Sequence, residues 1–101
     1  MIVVRFKVQC KPDKTEQALA QFEEVIAPSR AVDGVVSFDI GHDLANPDSV
    51  IAIEVFEDRA ALERQESLPV VQKTIGLLEE FVAAEPEATV FDVSSSEPHG
   101  A

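Results

Sequence analysis

The 101-residue chain carries eight basic and nineteen acidic residues, a formal net charge of −11, and its composition is 46% hydrophobic and 27% charged. Such a length holds one domain and such a composition can bury a core, while the negative charge repels phosphate backbones and anionic headgroups, so neither nucleic acid nor a membrane surface is an expected partner. No apolar run approaches the roughly 20 residues that span a bilayer, the first residues enter a strand pattern without a signal-peptide core, and the lone Cys10 can form no internal disulfide, so a cytoplasmic location is expected.

In chain order, Val4, Phe6, Val8 and Cys10 alternate with Val3, Arg5, Lys7 and Gln9, which predicts a half-buried strand over 2–10. Pro12 ends it, and Asp13 with Glu16 has the spacing of a capping box for a helix from about Lys14 to Ser29, with Ala18, Leu19, Phe22, Val25 and Ile26 at helical intervals. Asp33-Gly34 turns the chain into a second strand, Val35 to Leu44, and Ala45 to Asp48 reads as a hairpin break before a third strand, Ser49 to Glu57. That third strand is apolar on both faces, with Ile51, Ile53 and Val55 on one and Val50, Ala52 and Phe56 on the other, so both should be covered.

Asp58 caps a short helix to about Glu66, Ser67-Leu68-Pro69 breaks it, and Val71, Ile75, Leu78, Phe81 and Val82 mark the apolar stripe of another helix. Ala88 to Val93 reads as a last strand. The domain therefore spans 1–93, and the polar segment 94–101 is expected to be a flexible tail. The order strand, helix, strand, strand, helix pair, strand is the ferredoxin-like split βαβ plan, an α+β fold with an antiparallel four-stranded sheet and its helices on one face. A second copy of the chain, sheet against sheet, is the simplest cover for the other face, so a homodimer is expected.

Candidate chemistry is sparse. Glu54 lies among apolar neighbours, where desolvation raises a carboxyl pKa and makes it a better base near neutral pH; the alternative is a buried ion pair or hydrogen bond. His42 is either a proton carrier or a solvated residue at the hairpin beside Asp43 and Asp48. Arg64 and Gln65 either reach a pocket or sit exposed on the short helix, and Phe22, Phe38, Phe56 and Phe81 either line an aromatic cleft or fill the core. Cys10 reads as core, with no histidine and acid pattern to make it a nucleophile. No metal-ligand spacing and no glycine-rich phosphate loop occurs, so neither a transition metal nor a nucleotide, flavin or nicotinamide cofactor is expected.

Three stretches together carry a family resemblance: K-P-D-K-T-E at Lys11 to Glu16, A-P-S-R-A-V-D-G-V-V-S-F-D-I at Ala27 to Ile40, and N-P-D-S-V-I-A-I-E-V-F-E-D-R-A-A-L at Asn46 to Leu62. With them the chain resembles the antibiotic biosynthesis monooxygenase domain family, small dimeric α+β barrels that include cofactor-free quinol and anthrone oxygenases. The resemblance implies an oxygenase acting with dioxygen on a small hydroxylated aromatic molecule, without a cofactor, with Glu54 or His42 moving the proton and Arg64 and Gln65 orienting the substrate. Phe38 and Phe56 stand where the family pattern has tyrosine and tryptophan, and Gln65 and Val70 where many relatives have histidines. A non-catalytic dimeric module that binds a small hydrophobic ligand, or serves as a stress-related accessory, is the alternative on the same scaffold.

Only four of the basic residues are lysines. That acid-rich, lysine-poor balance resembles proteins of salt-rich cytoplasm, where molar salt screens self-repulsion to a length of about 3 Å, and a halophilic source is the corresponding expectation.

Overall fold

Strand β1 (Ile2–Gln9) alternates as predicted, with Ile2, Val4 and Val8 buried under the helices and Arg5 exposed on the opposite face. In this computed structural model residues 1–100 are described; Ala101, the last residue of the expected tail, lies outside the described residues. β3 (Asn46–Phe56) and β4 (Glu87–Asp92) flank β1, and β2 (Val35–Asp43) pairs with β3, giving an antiparallel four-stranded sheet in the order β2-β3-β1-β4. Three helices, α1 (Thr15–Arg30), α2 (Arg59–Glu66) and α3 (Pro69–Phe81), complete the split βαβ plan.

The apolar stripes read from the sequence supply the core between sheet and helices. Val8, Cys10 and Val50 of the sheet pack with Ala18 and Phe22 of α1 and Phe81 of α3. Phe22 and Phe81 meet edge to face at 6.5 Å, an arrangement the ring quadrupoles favour. A second cluster joins Ile2, Val4 and Phe56 to Ala61 and Leu62 of α2.

Two local expectations are corrected. The Asp13 and Glu16 capping box does not form: Lys14 occupies the cap position of α1 and makes no side-chain cap bond. Instead the Thr15 hydroxyl lies 2.7 Å from Asp48 Oδ1, so a tertiary hydrogen bond to the start of β3 anchors the helix. The hairpin is also tighter than expected. Asp43 pairs with Asn46 across Leu44 and Ala45, and Asp43 Oδ1 accepts the Ala45 N–H at 2.8 Å. β3 therefore begins at Asn46, and Pro47 is accommodated because it has no partner in either register of that strand.

The Asp33-Gly34 turn closes the other end of the sheet. Gly34 has φ +90°, Glu57 N–H donates to its carbonyl at 2.8 Å, and Arg64 Nη2 donates to the Asp33 carbonyl at 2.8 Å, tying α2 to the start of β2. Of the two faces of β3 expected to be covered, the one with Val50, Ala52 and Phe56 is buried against the helices. Its other face is open in the single chain, where Ile53 is 39% and Phe91 of β4 is 47% exposed. No described helix is long and apolar enough to cross a membrane.

Candidate active site

The antiparallel register builds the floor of a cavity from two adjacent rungs of the sheet. One rung runs from Phe38 through Glu54 and Val4 to Val90, the next from Ile40 through Ala52 and Phe6 to Ala88. Phe22 and Val25 of α1, Gln65 and Glu66 of α2, and Val71, Thr74, Ile75 and Leu78 of α3 roof a space of about 310 Å³. The β2 end is closed by buried Phe22, Val25 and Phe38, whereas Ile75, Ala88 and Val90 at the β4 end are exposed. A small aromatic molecule entering at β4 would meet apolar walls and few polar atoms.

Strand alternation explains why Glu54 faces inward: it shares parity with Val50, Ala52 and Phe56, all buried beneath the helices. No hydrogen bond or ion pair reaches its carboxyl among the described residues; Arg30 with Asp39 at 3.2 Å is the sole ion pair there. The ion-pair alternative for Glu54 is thus not realised. Burial first, and repulsion from Glu66 second, push its pKa from 4.5 up to about 7. A carboxyl so placed is half ionised near neutral pH and can both take and return a proton.

Gln65 is 3% exposed, and its Nε2 donates to the fully buried Ser29 hydroxyl at 3.0 Å. That bond fixes the amide against α1 and brings Gln65 to the cavity wall. Thr74 also faces the cavity, but its hydroxyl donates to the Val70 carbonyl and accepts from Gln21 Nε2, each at 2.8 Å.

Of the residues singled out in the sequence, Glu54, Gln65, Phe22 and Phe38 converge on this space. Phe56 does not line it; fully buried, it packs under α2 with Ala61 and Leu62. Arg64 is exposed and held by the Asp33 carbonyl, on the side of α2 away from the cavity lining. His42 lies beyond the last floor rung, in the exposed end of the hairpin. Val70 packs beside Phe38, Val25 and Val71. Cys10 is wholly buried, and burial, then the charge of Asp48, raise its thiol pKa against a lowering hydrogen bond from Thr15, as suits a core residue.

The sequence reading missed Glu66, Thr74 and Ile40 as cavity residues. Ile75 and Leu78 were visible as part of a helical stripe, the one signal available, but spacing alone does not say whether a stripe meets packed core or empty space. Among the described residues no three His, Cys, Asp or Glu side chains come together as a metal site.

The sequence profile of the antibiotic biosynthesis monooxygenase family matches residues 1–77. The chain belongs to that family. Within the antibiotic biosynthesis monooxygenases, it is 27% identical over 96 residues, 95% of its length, to the uncharacterised protein sll1783 of Synechocystis. It is 27% identical over 63 residues, 62% of its length, to YcnE of Bacillus subtilis, which bears a provisional monooxygenase name. The matches span 65% and 66% of the lengths of those two relatives. The structure of Rv0793 from Mycobacterium tuberculosis superposes with a TM-score of 0.89 at 21% identity over 96% of this chain and 98% of that one, a likeness of fold.

Proposed function

We propose that this family member is a homodimeric, cofactor-independent monooxygenase acting on a small hydroxylated aromatic molecule of the quinol or anthrone kind, with Glu54 as the base. The observation that carries the reading is the unpaired Glu54 carboxyl, poised at about pH 7 in a mostly apolar cavity. The carboxylate removes the hydroxyl proton of the bound substrate, which leaves an electron-rich anion. One electron passes from that anion to dioxygen, and the resulting radical pair joins through a carbon–oxygen bond. As the O–O bond breaks, the ring carbon that bears it gives up its own hydrogen as a proton and keeps one oxygen as a carbonyl; the other oxygen departs as water with that proton and the one that Glu54 returns. Substrate and dioxygen become oxygenated product and water, so no external reductant enters. Phe22 and Phe38 flank the ring, and Gln65 orients a substrate hydroxyl.

The open sheet face supports the dimer. Ile53 and Phe91 leave apolar surface there that a second copy would bury isologously.

A second reading, a non-catalytic module that binds a small hydrophobic ligand, is favoured by one fact: no imidazole lines the cavity. Oxygen uptake by the purified protein in molar salt, against a panel of hydroquinones and anthrones, separates the two. Uptake above the uncatalysed rate that is lost in Glu54→Gln establishes the oxygenase and its base; no uptake with any compound leaves the binding module.

A further inference from the structure

The polar atoms lining the cavity are unevenly divided between acceptors and donors. Glu54 brings a carboxyl, exposed Glu66 adds negative charge at the cavity wall, and Gln65 brings an amide oxygen that accepts no hydrogen bond from the described protein groups. At pH 8, where Glu54 is ionised, the donor side is nearly empty. Thr74 spends its hydroxyl hydrogen on the Val70 carbonyl, and the Gln65 amide nitrogen is directed to Ser29, leaving at most one of its N–H groups over. The floor's backbone N–H groups lie in the plane of the sheet, those of β1 and β3 between two partner strands, and no lysine, arginine, histidine or tryptophan contributes to the lining.

We propose that this acceptor-rich, cation-free cavity recognises neutral aromatic molecules through their hydroxyl donors, binding the reduced dihydroxy form and rejecting both its quinone and its anionic derivatives. The inference rests on the oxygenase reading for the identity of the ring, and it adds the selection of redox state and charge. A hydroquinone offers two O–H donors to lone pairs that otherwise lose their water on binding. Its quinone offers carbonyl oxygens to the same lone pairs, leaving acceptors facing acceptors against apolar walls, a mismatch that costs more than a missing contact. A ring carrying a carboxylate or sulfonate would add a third negative charge beside Glu54 and Glu66, with no cation to offset it. Conversion of O–H groups to carbonyls during oxygenation then removes the donors that held the substrate, and the product leaves through the exposed β4 end.

The test is anaerobic binding of three probes to the full chain at pH 8, followed by calorimetry: 1,4-naphthohydroquinone, 1,4-naphthoquinone and a ring-sulfonated naphthohydroquinone. The hydroquinone is expected to bind at least about tenfold more tightly than either of the others, the factor that one hydrogen bond to a charged group supplies. Glu54→Gln places an amide donor on the floor and should narrow the gap by tightening the quinone. Equal or tighter binding of the quinone or the sulfonate, or no binding of the hydroquinone, overturns the proposal. Because no oxygen is present, the outcome is independent of turnover. Discrimination without oxygen uptake would leave this recognition standing and remove the oxygenase; uptake with no discrimination would do the reverse.

Discussion

The carboxyls of Glu54 and Glu66 face one cavity from the sheet below and from α2 above, and repulsion from Glu66 adds to burial in holding Glu54 protonated up to about pH 7. A base so tuned is ionised only as pH rises through that value. Oxygen uptake should therefore climb from pH 6 to pH 8 with an inflection near 7, and Glu66→Gln, which removes the repulsion, should move the inflection to lower pH. A pH–rate profile of both proteins checks this; identical inflections would exclude Glu66 as a cause.

The same carboxyl links stability to pH. Its folded pKa is raised above the ordinary 4.5, so the folded state binds the extra proton and the contribution is fully present below 4.5 and lost as pH rises through about 7. Glu54→Gln should consequently stabilise the protein at pH 8, by at most about 3 kcal/mol, with the gain vanishing below pH 4.5. Turnover should fall at least about a hundredfold in the same variant. Urea unfolding at pH 4, 6 and 8 measures the first effect, and a variant less stable than the parent at pH 8 would contradict it.

Gly34 combines φ +90° with no room for a side chain: a Cβ there would lie 2.7 Å from Ala61 Cβ and 3.0 Å from Arg64 Nη2. Gly34→Ala is expected to destabilise by roughly 1–3 kcal/mol, because the strained backbone and the displaced α2 add. Thermal unfolding would show a lowered midpoint; an unchanged one would mean that the turn relaxes freely.

The open sheet face should hold a second copy. Sedimentation at micromolar concentration is expected to give the dimer mass, and Ile53→Asp, which puts a charge at the centre of that face, should give the monomer. A monomeric parent protein would refute the pairing.

Salt should matter as well. With a net charge of −11, self-repulsion opposes the folded state in dilute buffer, and the unfolding temperature is expected to rise steeply into molar potassium chloride. A flat response would dismiss the halophilic reading.

Much of the fold was legible because its signals are local. Period-two alternation marked β1 and an apolar run between turn signals marked β3, Asp58 does accept the Ala61 N–H as the cap of α2, and Pro69 does open α3. That Glu54 shares a face with Val50, Ala52 and Phe56 was legible too, since parity settles it, but with both faces of β3 apolar the sequence did not say which one the helices cover. The capping of α1 was not, because Thr15 takes its partner, Asp48, from 33 residues away, and no local rule weighs a distant acceptor against Glu16.

Sequence alone determined the elements and which residues share a face, Glu54 with Val50, Ala52 and Phe56 among them, since each depends on neighbours along a helix or strand. Only the tertiary structure decided that Glu54 meets Glu66 and Gln65 while His42, Arg64 and Phe56 stand outside the cavity. That outcome hangs on how far α2 and α3 lie from the two floor rungs and on where the hairpin passes beyond them. Those distances come from packing among side chains remote in the chain, and spacing along one strand or helix does not encode them.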